Sequence, residues 1–288
     1  MRIKGIIRIM IIITIEFILL YELLGMEAAS ITCVGIICYG WLGEYIALWK
    51  ERAVKCRYLN EYDTRKISLA FGMLAEEVKE RNNIDICKVK VSMIPSEQVN
   101  AYAYGMHNIA ITQGALETCD EVMLAAVMSH EIAHVLSMDA FFHRIIFANV
   151  VLAVIGLAVS CFAVTGGLWL LFGIFCLVGI CRGCISIFFF SGISKMIKGI
   201  FELLQKFVLF IYQAVMGIVS RGNEFRADRY ACSLGYGTQL KYFLSRFVSE
   251  QGGRTIRDIL YASHPDTYKR IARIEQYRED KITEISRL

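Results

Sequence analysis

Two histidines and a glutamate in the stretch VMSHEIAHVLSMD have a spacing that is suited to binding a metal ion. His130 and His134 are four residues apart, and Glu131 directly follows the first of them. On a helix, side chains at positions i and i+4 share a face, so both rings can offer a nitrogen to one ion while Glu131 reaches a water on that ion. This arrangement indicates hydrolytic zinc chemistry. The alternative is a helix whose two histidines only face polar partners.

A zinc hydrolase of this kind needs a third protein ligand, and the stretch SRGNEFRADRYA contains two candidates. Glu224 and Asp228 are four residues apart on a predicted helix, so one can bind the ion while the other braces a neighbouring group. Taken alone, the stretch could also be the solvated charged face of a helix. A third polar cluster, SHPDTYKRIARI, brings His264 and Arg270 to the start of a C-terminal helix.

The composition indicates that these motifs belong to a membrane protein. The 288-residue chain is 56% hydrophobic, has a mean hydropathy of +0.49, and contains only 20% charged residues. That balance is too apolar for an ordinary soluble domain. The net charge of +4 is modest, and the basic residues cluster beside apolar runs, which indicates membrane orientation and not nucleic-acid binding. The ten cysteines lie singly or in apolar runs, so we expect reduced thiols.

The first two apolar runs predict a transmembrane hairpin. Ile9 to Leu24 and Ile31 to Trp49 are each long enough to cross a bilayer and are joined by a short turn. The first run could instead be a cleaved signal peptide. In either case, the basic residues that follow the second run favour the cytoplasmic side: Lys50, Arg52, Lys55 and Arg57.

A second apolar stretch, Ile145 to Phe190, predicts another hairpin, with a break at Thr165 to Gly167. An even number of crossings must separate His134 from Glu224 if both bind one ion. The hairpin already gives two crossings, and a third would place the two ligands on opposite sides of the membrane. The following run, Gly199 to Ser220, is therefore interpreted as an amphipathic helix that lies at the interface or against the catalytic domain.

Between and after the hairpins, polar segments predict a small α+β unit. EYDTRKISLAFGMLAEEVKERNN has helical spacing, whereas CKVKVSMI and NIAIT are typical of short strands. The NIAIT strand is either an open edge that an extended substrate joins or a fully paired member of the sheet. The predicted segments are a hairpin at 1–55, catalytic domain at 56–143, a hairpin at 144–190, and an amphipathic helix with the rest of that domain at 191–288.

Four motifs follow one another along the chain: NAYAYG from Asn100 to Gly105, HEIAH with Asp139 five residues later, NEFRAD, and SHPDTYKRI. In their order and approximate spacing they resemble those of the HtpX and CAAX prenyl endopeptidase family of integral-membrane zinc proteases. The resemblance extends from Asn100 to Ile274, and the apolar stretch between the second and third motifs resembles HtpX itself. Four ordered motifs are more specific than a single H-E-x-x-H.

The resemblance implies a metal site with defined ligands. His130, His134 and Glu224 would bind one zinc ion per chain, and Glu131 would be the general base. Zinc would polarise the scissile carbonyl and acidify its water, and Glu131 would pass the proton to the leaving amine. The fold class that we expect is a multi-pass α-helical membrane protein with an α+β zincin-type metalloprotease domain built around the H-E-x-x-H helix.

The same resemblance implies supporting roles for five further residues. Asp139 and Asp228 would brace the metal ligands, and Asn100 would lie on the substrate side. His264 and Arg270 would support the active site or the transition state, for instance by donating a hydrogen bond to the oxyanion. The first motif departs from the family, whose members more often read close to NAFATG.

The function expected from this resemblance is a zinc-dependent endopeptidase that cleaves misfolded or membrane proteins at the cytoplasmic face of a bacterial plasma membrane. Its partners would be protein or peptide substrates and the lipid bilayer, with no nucleic acid. One alternative is a metalloprotease that transmits a signal by cleaving a regulatory protein, although little chain follows the last helix to form an external sensor domain. Another is a catalytically inactive membrane scaffold, which the intact H-E-x-x-H disfavours.

Overall fold

The computed structural model describes residues 2–179, 184–247 and 267–285. Within these ranges the helices are α1 Arg2–Leu24, α2 Met26–Lys50, α3 Glu61–Asn82, α4 Gln113–Thr118, α5 Glu121–Ser137, α6 Asp139–Leu177, α7 Cys184–Ser233, α8 Gly237–Phe247 and α9 Thr267–Ile285. The strands are β1 Val54–Lys55, β2 Lys90–Ile94, β3 Ala101–Ala103 and β4 Asn108–Thr112. The chain divides into two compact units, Met1–Ile145 with Gly217–Leu288, and Ile146–Met216.

The first unit contains a four-stranded sheet in the order β1-β2-β4-β3. β4 pairs in parallel with β2 and antiparallel with β3, so that Ile109 lies opposite Val91 on one side and opposite Ala103 on the other. All five residues of β4 are buried. The NIAIT strand is therefore a fully paired member of the sheet, and the interpretation of it as an open edge is wrong. The edge strand is β3.

Helix α5 forms the centre of the first unit, where it packs against α3, β3, β4, α8 and α1. Its first turn is capped by Asp120, whose side chain accepts a hydrogen bond from the Met123 backbone N–H. Its last turn ends at Met138, which adopts a left-handed conformation with φ of 57°. Because α6 begins at the next residue, Asp139 stands directly beside the C-terminal end of α5.

Helices α1 and α2 pack against each other, and α2 also holds the turn between β3 and β4. Of these two helices only α2 is long and apolar enough to count as a candidate membrane span, so the transmembrane hairpin stays a prediction. The Glu44 carboxylate accepts hydrogen bonds from the backbone N–H groups of Met106 and His107, both at 3.2 Å. Gly105 in this turn has φ of +102°, and a Cβ there would lie 2.5 Å from a Glu44 oxygen. The turn can therefore close over Glu44 only with glycine at this position.

Three helices in the described part of the chain are long and apolar enough to cross a membrane, namely α2, α6 and α7. The most apolar windows of α6 and α7 are almost entirely exposed, as helices surrounded by lipid would be. Together with the sheet and the H-E-x-x-H helix, they confirm the expected fold class, a multi-pass α-helical membrane protein with an α+β metalloprotease domain.

The predicted break of the second hairpin at Thr165 to Gly167 is wrong, because α6 continues through these residues to Leu177. The Thr165 hydroxyl donates to the backbone carbonyls of Cys161 at 2.8 Å and Phe162 at 3.2 Å, so it is satisfied within the helix. A glycine costs a helix only about 1 kcal/mol relative to alanine. That cost is too small to end a long apolar helix.

The run Gly199 to Ser220 is not a separate amphipathic helix, because it lies inside the 50-residue helix α7. No helix boundary therefore separates the predicted segments 144–190 and 191–288. At about 1.5 Å per residue, α7 is roughly 75 Å long, against a hydrocarbon thickness of about 30 Å. One continuous helix can cross a bilayer only once, so α6 and α7 are two candidate crossings, which agrees with the even number expected between His134 and Glu224.

Candidate metal centre

The two histidines of α5 point their Nε2 atoms at a common position. Four residues along a helix correspond to a little over one turn, so His130 and His134 lie on the same face. Their Nε2 atoms are 3.3 Å apart. His130 is buried, while His134 is slightly more exposed and faces the adjoining cavity.

Helix α7 brings Glu224 to the same position. One carboxylate oxygen lies 3.3 Å from His130 Nε2, and the other lies 3.7 Å from His134 Nε2. Two atoms that are each about 2.0–2.1 Å from a tetrahedral zinc ion lie about 3.3–3.4 Å apart. The spacing of these two nitrogens and the carboxylate therefore fits a zinc ion, and the three side chains form a group that could hold a metal.

The other ring nitrogen of each histidine faces a carboxylate. His130 Nδ1 lies 3.0 Å from Asp228, and His134 Nδ1 lies 2.9 Å from Asp139. A carboxylate at this position holds the proton on Nδ1 and leaves the lone pair of Nε2 free for a metal. Both aspartates are buried, so water does not compete with the histidines for them.

Arg270 connects two of the acidic residues. Its Nε and one terminal nitrogen donate to the two oxygens of Asp228 at 2.8 and 2.7 Å. Its other terminal nitrogen lies 3.0 Å from Glu224. A guanidinium has five donors in a planar fork, which allows this one side chain to orient both the third candidate ligand and the carboxylate behind His130.

Two different arginines reach Asp139. Arg8 of α1 donates to one of its oxygens at 3.1 Å, and Arg226 of α7 forms an ion pair with the other. Arg226 also donates to the Asn223 side-chain oxygen at 2.9 Å. Asp139 thus has partners from three elements, including His134 on α5.

The acidic environment changes the protonation of the buried groups. Burial opposes a charge on His130, but hydrogen bonds to Asp228 and Glu224 outweigh it and raise the pKa of His130 to about 10. Burial raises the pKa of the Glu131 carboxyl, and the neighbouring histidines only partly oppose that effect. Burial also opposes the charge of Arg270, but its pairing with Asp228 raises the pKa of Arg270 above the usual arginine value.

The candidate ligands open onto a cavity of about 330 Å³. Glu131 lines it beside the histidines, and the edge strand β3 lines it with Ala101, Tyr102 and Ala103. Asn100, which precedes β3, also lines the cavity, and its side-chain oxygen accepts a hydrogen bond from the Ala101 N–H at 2.9 Å. The edge strand of the sheet and the carboxylate of Glu131 are therefore brought to the same cavity as the ligands.

The structure brings most of the site residues expected from the sequence into this one region; they are Asn100, His130, Glu131, His134, Asp139, Glu224, Asp228 and Arg270. His264, by contrast, lies outside the described residues. The sequence did not identify Arg8 or Arg226 as members of the site. Arg8 reads as a flanking charge of an apolar run, and Arg226 as part of a charged helix face. Both arginines are recognised as part of the site only because they pair with Asp139 in the structure.

Parts of this sequence are similar to known peptidases. The model of peptidase family M48 matches residues 73–278. Protease HtpX homologues from Aquifex aeolicus and Thiobacillus denitrificans are 29% identical over 114 residues and 31% identical over 98 residues. These matches cover 37% and 33% of this chain, and 36% and 34% of the relatives, so the chain spans about a third of their length. The crystal structure of S. mikatae Ste24p has a TM-score of 0.49 and 16% identity, covering 91% of this chain and 62% of that one.

Proposed function

Because this chain belongs to peptidase family M48, we propose that it is a membrane-bound, metal-dependent endopeptidase. The observation that carries this proposal is the convergence of His130, His134 and Glu224 at the wall of a cavity that Glu131 also lines. Similar proteins from other organisms are named as HtpX proteases, which agrees with the proposal.

We propose that the ion is zinc, held by the two histidines and Glu224. Two imidazole nitrogens and one carboxylate leave a position open, as catalytic zinc sites do. When bound, the ion supplies a Lewis acid that polarises the scissile carbonyl and lowers the pKa of the attacking water. Asp228 and Asp139 orient the histidine rings, and Arg270 orients Glu224.

Glu131 is the general base in this proposal. It follows His130 on α5 and lines the cavity, where its carboxylate can accept the proton of the attacking water and return it to the leaving amine. Burial raises the pKa of Glu131. A raised pKa makes the carboxylate a better acceptor of the proton of the attacking water.

The strand β3 is the proposed substrate-binding edge. Its one partner among the described strands is β4, and its residues line the cavity. An extended peptide that adds to this edge would pair through its backbone, which allows many sequences and suits misfolded or membrane proteins. Because the three nitrogens of Arg270 already contact Asp228 and Glu224, the proposed oxyanion donor is His264 and not Arg270.

We further propose that the metal site faces the cytoplasm of a bacterial plasma membrane, because Lys50 and the basic residues after it favour that side. Cysteines introduced at Glu61 or Gln113 should then resist a membrane-impermeant label in intact cells, whereas cysteines at Glu27 or Val178 should react. Thr165, which lies at the hairpin break expected from the sequence, is unsuitable because it is buried within α6. The background should lack the exposed native Cys38, Cys87 and Cys176. Outside labelling of Gln113 would contradict this orientation.

The peptidase proposal is tested with purified protein in detergent. Wild-type protein should contain one zinc per chain and cleave casein, and a chelator that removes the zinc should abolish cleavage. Re-addition of zinc should restore it. Cleavage that persists after metal analysis shows complete removal of the ion would contradict the proposal, as would a zinc-loaded protein that cleaves nothing.

A further inference from the structure

The carboxylate behind His134 is held from the first helix of the chain. One nitrogen of Arg8 donates to Asp139 and to the backbone carbonyl of Ser137, both at 3.1 Å. Ser137 is the last residue of α5, so its carbonyl belongs to the end of the helix that carries the histidines. A single guanidinium therefore joins α1 both to the C-terminal end of α5 and to the partner of His134.

The approach of α1 to this point is close and specific. A Cβ at Gly5 would lie 2.6 Å from the Ser137 carbonyl oxygen, which real Cβ atoms essentially never do. Arg8 stands one helical turn further on, with its guanidinium carbon 3.9 Å from the centre of the Phe142 ring. The absence of a side chain at Gly5 and the stacking on Phe142 thus fix the position from which Arg8 reaches Asp139.

A contact of this kind affects how firmly a metal is held. Asp139 is only 3% exposed, so water cannot replace a lost donor easily. Without Arg8, the carboxylate would lose one of its two arginine partners and could rotate away from His134 Nδ1. Loss of an outer partner of a metal-binding histidine typically weakens metal binding by about 10–100-fold.

We propose that Arg8 is a positioning residue of the metal centre, which holds Asp139 against His134 and makes metal affinity depend on the docking of α1. The inference rests on the metal site proposed above. It adds that zinc affinity depends on the position of α1. A displacement of this helix would weaken zinc binding although no ligand is changed.

The second helix provides a control for general loosening of the hairpin. Glu44 of α2 accepts hydrogen bonds from Met106, His107 and Asn108, which lie in the turn between β3 and β4 and at the start of β4 and do not belong to the metal network. Glu44→Gln should therefore loosen the contact of α2 with the sheet without changing zinc affinity. Lys4→Gln is the matched control on α1, since Lys4 is an exposed basic residue of the same helix.

The zinc dissociation constant of each full-length variant in detergent is measured by competition with a chromophoric chelator. Arg8→Gln should bind zinc about tenfold more weakly than wild type, Arg8→Lys should recover part of the loss, and Glu44→Gln and Lys4→Gln should match wild type. If Arg8→Gln does not fold, Gly5→Ala takes its place, because it moves Arg8 without removing its charge. The control for that change is Gly35→Ala, where a Cβ meets no atom within 4 Å.

A double-mutant cycle with Asp139→Asn separates positioning from simple stability. If Arg8 acts through Asp139, Arg8→Gln should cost no further zinc affinity once Asp139 is replaced. The absorption spectrum of the Co²⁺-loaded protein should also change in Arg8→Gln and stay unchanged in Glu44→Gln. Failure of the wild type to bind zinc would refute the metal site itself. Wild-type zinc affinity in folded Arg8→Gln, or additive losses in the cycle, would overturn the role of Arg8 alone.

Discussion

The two candidate metal-binding histidines share a helix but differ in what lies behind them. Behind His130, Asp228 is fully buried and accepts two hydrogen bonds from Arg270, which is also buried. Behind His134, Asp139 is buried too, but the side chains of the two arginines that reach it are 29% and 35% exposed. Both histidines thus face a carboxylate, but the carboxylate behind His130 is held by a buried arginine and the one behind His134 by two partly exposed arginines.

This difference determines how each side responds to change. A buried bidentate pair cannot be broken without leaving charges unpaired at low dielectric constant, whereas an ion pair to a partly exposed arginine contributes less because water already screens the arginine. We therefore expect the Asp228–Arg270 pair behind His130 to contribute strongly to the free energy of unfolding. The support of His134, which comes from α1 and α7, should be adjustable at little cost to the fold.

The largest expected effect is on stability and concerns Arg270. In the metal-free protein, Arg270→Met leaves the carboxylates of Asp228 and Glu224 without their arginine, and should lower the free energy of unfolding by about 3–5 kcal/mol. Arg226→Met, on the exposed side, should lower it by less than about 1 kcal/mol. Detergent-solubilised protein unfolded by denaturant and followed by circular dichroism provides both values. Equal losses would show that the two sides do not differ.

A smaller effect is expected on metal affinity when each carboxylate is replaced by its amide. Asp228→Asn and Asp139→Asn should both weaken zinc binding within the range of about 10–100-fold. The loss should be greater for Asp228, because its replacement also removes the charge that orients Arg270 towards Glu224. Competition with a chelator measures both dissociation constants. A greater loss for Asp139→Asn would reverse the comparison.

The smallest effect concerns the shape of the arginines and not their charge. Arg270→Lys removes the fork that contacts both oxygens of Asp228, and we expect zinc affinity to fall by about tenfold. Arg226→Lys should stay within about twofold of wild type, because a single ion pair to Asp139 survives the change. Similar zinc affinities for the two lysine variants would mean that the fork of Arg270 is not needed.

Much of the candidate site follows from local patterns in the sequence. The i, i+4 spacing puts His130 and His134 on one face, and the same spacing aligns Glu224 with Asp228 on α7. These relations need only the geometry of a helix. Arg8 could not be found in this way, because its partner is 131 residues away and their meeting depends on how α1 docks.

For the fold, too, local elements were predictable and long-range contacts were not. Alternation and helical spacing located α3, β2 and β4, but strand order is a tertiary property, so the sequence left open whether β4 is an open edge or fully paired and did not predict β3. The break expected at Thr165 to Gly167 is absent, because the Thr165 hydroxyl hydrogen-bonds within the helix and the two glycines cost a long apolar helix little. The division of the chain into the segments 1–55, 56–143, 144–190 and 191–288 stays a prediction.

The central claim is that His130, His134 and Glu224 hold a zinc ion beside Glu131, which is the base for peptide hydrolysis. Glu131→Gln tests it most directly, because this change removes the proton acceptor and no ligand. Purified wild type and variant should each contain one zinc per chain, while casein cleavage should fall to background only in the variant. A zinc-loaded Glu131→Gln protein that cleaves casein at close to the wild-type rate would contradict the account.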